Sequence, residues 1–170
     1  MAPRVGWIKM NVDGASKGAQ MAAGCGGLLR GCSGEWICGF VRKLGRCTTV
    51  KSKLWVVLTG LEVARSFNLD NIIIECDSVS VVSMLINLQV EDKSESRLLS
   101  LIRLALCHFL NYNFVHVYRE GNTCADSLAN FSLVHGESYT VFENPPLAIL
   151  RCLYNDYVGV AYPRDILIQE

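Results

Sequence analysis

At 170 residues, with 51% apolar and 19% charged residues, the chain has the composition of one folded domain with its own core, which excludes a disordered or low-complexity protein. No apolar run approaches the roughly 18 residues of a membrane helix, and Met1-Ala2-Pro3-Arg4-Val5-Gly6 leads into no signal-peptide stretch, so a soluble intracellular protein, nuclear or cytoplasmic, is expected. The net charge of zero hides an asymmetry: residues 1 to 60 hold nine Lys or Arg against Asp13 and Glu35, a balance of +7, and the remainder carries −7.

Trp7 to Asp13 alternates, with Ile8, Met10 and Val12 on one face and Lys9, Asn11 and Asp13 on the other, the pattern of a half-buried strand. Turn residues come next, at 14 to 18. Segments 22 to 30 and 35 to 42 read as two further strands joined through Gly31-Cys32-Ser33-Gly34, and such short loops imply an antiparallel meander. From Thr49 the period becomes helical through Leu54, Val57, Leu58 and Leu61, up to about Asn68. Asn71 to Cys76 is a nearly continuous apolar run, as in a central strand covered on both faces.

Helices over about 79 to 88 and 95 to 110, a strand over 113 to 118, a loop at Arg119 to Asn122 and a helix from Thr123 to about Val134 complete the order. A meander passing into alternating helix and strand predicts an α/β domain. Its mixed five-stranded sheet would be antiparallel first and then parallel, with helices on both faces. The domain is expected to occupy residues 1 to 135, with 136 to 170 an appendage whose Pro145-Pro146 precedes a short helix at about 147 to 154. The eight cysteines are scattered through apolar segments without a C-x-x-C pair or ligand spacing to His108, His116 or His135, so they read as reduced core residues and not as a zinc site. Trp36 and Trp55 also fall in apolar patterns and read as core, and His116 as a structural residue of its strand.

Three acids stand where structure alone does not ask for them. Asp13 ends a strand, where Asp is disfavoured; Asp77 comes directly after the central strand; Asp126 lies in the first turn of the last helix. If the first and fourth strands are neighbours, Asp13 and Asp77 meet, and a helix beside them brings Asp126 to the same place. Crowded carboxylates repel one another unless a cation neutralises them, and Mg²⁺ is the hard-oxygen candidate. Each acid also has a plain structural reading: Asp77 or Ser78 as a helix cap, Thr123 to Asp126 as a capping box, Asp13 as a turn residue before Gly14.

The segments "NVDGASKG" at 11 to 18, "GCGGLLRGCSGEWICGF" at 24 to 40, "IIIECDS" at 72 to 78 and "HVYREGNTCADSLA" at 116 to 129 closely resemble the ribonuclease H domains of plant retroelement-derived, reverse-transcriptase-like proteins. The similarity runs in order over residues 5 to 134, and the "PPLAILRCLYNDYVGVAYPR" tail resembles the segment on the C-terminal side of such domains. The resemblance implies a ribonuclease H-like fold and a Mg²⁺-dependent endonuclease, with Mn²⁺ as a substitute, that cuts the RNA strand of RNA/DNA hybrids; a monomer is expected. In such an enzyme two metals held by four carboxylates activate a water and stabilise the leaving oxygen. Asp13, Asp77 and Asp126 match three of those catalytic, metal-binding acids.

The fourth acid of the family pattern is a Glu near the start of the first long helix, in sequences such as "AEL". Here "SKL" puts Lys53 at that position. The only acid further along that helix, Glu62, lies nine residues on, a rotation of about 180° at about 100° per residue, and so projects from the opposite side. A protonated lysine has no lone pair for a metal. Weakened hydrolysis is therefore expected, with a catalytically inactive nucleic-acid-binding or scaffold module as the alternative. The expected nucleic-acid contacts are Ser16 and Asn122 near the acids, with Arg42, Lys43 and Lys51 along the basic half, reading hybrid shape and 2′-hydroxyls rather than base sequence.

Overall fold

The computed structural model describes residues 4–18, 22–87 and 93–159. Its strands are β1 (Ile8–Lys17), β2 (Ala22–Arg30), β3 (Trp36–Arg46), β4 (Asn71–Cys76), β5 (Asn111–His116) and β6 (Tyr139–Phe142). Its helices are α1 (Thr49–Arg65), α2 (Val79–Asn87), α3 (Lys93–Leu106), α4 (Thr123–Val134) and α5 (Leu150–Val158), with short 3₁₀ turns at Arg119–Gly121 and Leu147–Ile149. The sheet runs in the order β5-β4-β1-β2-β3-β6. The first three strands pair antiparallel, whereas β1–β4 and β4–β5 pair parallel, so the mixed α/β sheet arises from the chain order as expected.

The sheet has six strands where five were expected. The sixth, β6, pairs antiparallel with β3 from Gly39↔Phe142 to Arg42↔Tyr139, so part of the segment after residue 135 is built into the sheet. Its burial alternates only between exposed and half-buried, which leaves little apolar contrast in four residues. Strand boundaries also shift: β3 continues to Arg46, and the fifth strand begins at Asn111. β4 alternates between buried Ile72, Ile74 and Cys76 and half-buried residues, rather than being covered equally on both sides.

Two cores lie on the two sheet faces. On one, Met10, Val12, Leu29, Phe40, Ile72 and Ile74 meet α1, α2 and α3; on the other, Leu28 and Val41 meet Leu128, Ala125 and Ile149 around α4. α1 starts at Thr48, whose side chain accepts a hydrogen bond from the Lys51 amide, and it is buried along most of its length. All eight cysteines are free, as expected, but only Cys25, Cys38, Cys76 and Cys124 are buried; Cys107 is exposed. Burial pushes the Cys25 and Cys124 thiols up to about 12.

Trp36 and Trp55 pack against the two cores as expected, but from their margins, each half-buried. Trp36 Nε1 donates to the Glu143 carbonyl at 2.9 Å, and the Arg42 guanidinium lies 5.0 Å from the centre of the Trp55 ring. The His116 ring packs edge-on against Tyr118 at 5.6 Å. Among the described residues no helix is long and apolar enough to cross a membrane.

Candidate active site

Two glycines let the site assemble. Alternation along β1 turns Asp13 away from Met10 and Val12, towards the face that carries α4, and turns Gly14 towards α1. A Cβ on Gly14 would stand 2.7 Å from the Ser52 carbonyl carbon and 2.8 Å from the Lys53 amide, so only glycine lets α1 start this close to β1. A Cβ on Gly26 would stand 2.5 Å from the Leu128 carbonyl carbon, so the same argument seats α4 on β2. The parallel register Val12↔Cys76 then places Asp13 and Asp77 together, just beyond the last residues through which β1 and β4 pair; β1 itself runs on, paired with β2, to Lys17, so Asp13 lies within the strand and not at its expected end.

Lys53 reaches between these two acids. Its Nζ lies 2.8 Å from Asp13 Oδ1 and also donates to Asp77 Oδ1. The three side chains are 11%, 5% and 10% exposed, so the pairing is made largely out of water. Burial disfavours the Lys53 ammonium, but the attraction and hydrogen bonds of Asp13 and Asp77 outweigh it and raise the lysine pKa above its ordinary value. Burial also raises the Asp13 carboxyl above the usual carboxylate range; Lys53 opposes the rise and the charge of Asp77 adds to it. The Gly14 amide donates to Asp13 Oδ1 at 2.8 Å and fixes the carboxylate in place.

Asp126 faces the same opening from α4, with Arg119 Nη2 3.4 Å from its Oδ1. A cavity of about 290 Å³ is lined by Asp13, Asp77, Asp126 and Lys53, with Ser16, Lys17, Thr49, Arg119 and Asn130 around them. The capping readings divide: Ser78 Oγ accepts from the Val81 amide at 3.4 Å and caps α2, which leaves Asp77 to Lys53. α4 is preceded by Asn122 with no side-chain cap, and Asp126 caps nothing. Glu62 is exposed and lines grooves away from this cavity, as its rotation on α1 requires.

The residues present do not fit the expected two-metal centre. The place between Asp13 and Asp77 that a cation would take is held by the Lys53 ammonium, and among the described residues no group of three or more His, Cys, Asp or Glu is arranged to hold a metal ion. The charges of the acids are met by Lys53 and Arg119 instead.

Of the expected nucleic-acid contacts, Ser16 lines the cavity but Asn122 does not. Asn122 is 1% exposed; its amide donates to the Val12 carbonyl at 2.9 Å and accepts from Asn11 Nδ2 at 3.3 Å, so its polar atoms are used inside the fold. Asn11 in turn donates to Glu75, which pairs with Lys9 at 2.8 Å. This network ties the loop before α4 to β1 and β4. Arg42 lies between Trp55 and Tyr139 and reaches Thr59 at 3.4 Å, and it lines the cavity no more than Lys43 or Lys51 does.

The sequence reading missed Lys17, Thr49, Arg119 and Asn130 as cavity residues. Asn130 had a signal, since it stands four residues after Asp126 and so shares its helix face.

A family described as reverse transcriptase-like matches residues 11–132, which include Asp13, Lys53, Asp77 and Asp126. The chain belongs to the reverse transcriptase-like family. A curated relative from Arabidopsis thaliana, named as a candidate ribonuclease H protein, is 37% identical over 98% of this chain. This chain spans only 27% of that relative's length. Among solved structures, ribonuclease H1 of the halophilic archaeon Halobacterium salinarum superposes with a TM-score of 0.71 at 28% identity, over 75% of this chain and 98% of the other. LC11 ribonuclease H1, isolated from compost and solved with an RNA/DNA hybrid, superposes with a TM-score of 0.69 at 21% identity, over 75% and 96%. The reverse transcriptase-like domain therefore has the ribonuclease H fold, with Lys53 in the midst of its acids.

Proposed function

We propose that this chain is a ribonuclease H-type domain that engages RNA/DNA hybrids and hydrolyses their RNA strand with Mg²⁺ only weakly. The observation that carries the reading is the convergence of Asp13, Asp77 and Asp126 on one cavity with the Lys53 ammonium set between the first two. Support for the hybrid as ligand comes from the ribonuclease H relatives, and from the LC11 and foamy viral proteins, whose structures with RNA/DNA hybrids share the fold. The weakening is a consequence of charge. An ammonium between two carboxylates has to be displaced before a divalent ion can take their oxygens, and displacement strips a buried pair of both its contacts.

The test is cleavage of a labelled RNA/DNA hybrid in Mg²⁺ by the native chain, by Lys53→Glu, and by Lys53→Glu combined with Asp13→Asn. The native chain cuts slowly, Lys53→Glu restores the family's fourth acid and accelerates cleavage by about tenfold or more, a barrier change of about 1.4 kcal/mol, and the double variant is inert. A native rate equal to that of Lys53→Glu would refute the part assigned to Lys53.

A further inference from the structure

We infer that the Lys53 ammonium is the resident cation of this cavity, so that the site takes a nucleic-acid backbone phosphodiester without a divalent metal. The inference rests on the proposed reading of the domain as one that engages RNA/DNA hybrids, and goes beyond it by removing the metal from the binding step.

The charges lining the cavity balance: Asp13, Asp77 and Asp126 against Lys17, Lys53 and Arg119. With a glutamate at position 53 the same wall would be two units more negative, and an incoming phosphate would need metal ions to bridge it to the acids. Lys53 does that bridging internally. An ammonium has three N–H donors, and here two go to Asp13 and Asp77, which leaves the third for a phosphate oxygen. Around it, Ser16 and Thr49 bring hydroxyl donors to the same cavity.

Two further cations can turn to the ligand. Lys17 is exposed and makes no ion pair among the described residues. The Arg119 side chain is 78% exposed and holds Asp126 only at 3.4 Å, so it is able to exchange the carboxylate for a phosphate. A cavity of about 290 Å³ has room for one phosphodiester group. A magnesium ion meets the opposite situation. It requires several oxygens in near-octahedral array, and the nearest two carboxylates are already donated to by a buried ammonium whose charge repels it.

The experiment uses the full chain in two arms. In the first, Mg²⁺ is titrated while the carboxyl carbons of Asp13 and Asp77 are followed by NMR; the native protein shows no saturable shift at either. In the second, binding of a labelled RNA/DNA hybrid is measured against salt in EDTA and in Mg²⁺. The native affinities in the two buffers agree within about twofold, whereas Lys17→Gln weakens binding equally in both and lowers the salt slope by about one. Lys53→Glu, where it folds, binds the hybrid in Mg²⁺ and loses it in EDTA. A saturable Mg²⁺ shift at Asp13 and Asp77 in the native chain overturns the inference, as does native hybrid binding that disappears in EDTA. If the folded native chain ignores Mg²⁺ yet binds no hybrid in either buffer, the hybrid reading fails and the phosphodiester assignment falls with it, while the first arm still identifies Lys53 as the cation of the acids.

Discussion

Lys53 Nζ lies 2.8 Å from Asp13 Oδ1, so an ammonium from the first helix is seated against a carboxylate from the first strand with both side chains nearly out of water. Neither group would be stable there alone. Asp13 is the more dependent of the two: burial disfavours both charged forms, but its partners outweigh that for Lys53, whereas the Asp13 carboxyl stays raised even with Lys53 beside it. The pair also explains how a helix without a single acid in its first turn can close over a site built of carboxylates.

Replacing Lys53 by Gln removes the charge while keeping comparable bulk, and leaves Asp13 beside Asp77 without a counter-ion. Breaking a buried pair from one side costs about 3 kcal/mol. Urea unfolding should show a lower midpoint at unchanged slope. A loss below about 1 kcal/mol would mean that the pair behaves as an exposed one.

Alkaline pH should act through the same residue. The folded-state pKa of Lys53 is raised above 10.5, so its stabilisation is fully present below 10.5, where both states hold the proton. Above that pH the unfolded chain releases the proton first, and stability declines as pH climbs towards the folded value. Several thiols with raised pKa values, such as Cys38 at about 11, add to this decline, so the informative quantity is the difference between chains. Unfolding measured from pH 9 upward, on both sides of 10.5, should fall more steeply for the native chain than for Lys53→Gln; parallel curves would exclude Lys53 as a contributor.

Gly14 and Gly26 should tolerate no side chain. In Gly14→Ala the new Cβ would meet backbone atoms of Ser52 and Lys53 at 2.7 and 2.8 Å, and in Gly26→Ala those of Leu128 and Ala129 at 2.5 and 2.6 Å. Since helix backbone has to move, each change should cost about 1 to 3 kcal/mol. The first displaces Lys53 from Asp13, and the second displaces the helix that carries Asp126. Calorimetry of the two variants, then hybrid binding, checks both effects; melting temperatures matching the native chain would contradict the close approach.

Asn122→Ala separates a scaffold residue from a substrate contact. Removing the amide leaves the buried Val12 carbonyl and Asn11 with one partner fewer, at a cost of about 1 to 3 kcal/mol. Thermal stability should fall while the salt slope of hybrid binding stays the same. A slope reduced by about one, the mark of a lost phosphate contact, would restore Asn122 to the ligand surface.

Much of this protein was written in local pattern. The alternation at Ile8, Met10 and Val12 predicts β1 and the side to which Asp13 points, and the helical spacing after Thr49 predicts α1 and places Lys53 and Glu62 on opposite sides of it. That Asp13 meets Asp77 follows from the sequence only on the condition that β1 and β4 are neighbours, a condition that the parallel pairing Val12↔Cys76 fulfils. The first two relations come from period alone, which needs no knowledge of what the elements pack against.

What the tertiary structure alone decided is where polar groups find partners. β6 exists because the edge of β3 offers unpaired backbone groups, a partner that four weakly alternating residues do not announce. Asn122 turns inward because a β1 carbonyl and Asn11 lie within reach, although its place in a polar loop suggests solvent. Trp55 on α1 stays half-buried, its ring met by the guanidinium of Arg42 from β3. Lys53 likewise has its meaning from its neighbours: the sequence puts a lysine where a glutamate was expected, and the close approach of α1 to β1 over Gly14 makes that lysine the counter-ion of two aspartates. Periodicity is a property of the chain with itself, whereas an ion pair or a buried amide depends on distances between segments far apart in sequence, and only the packed structure sets those.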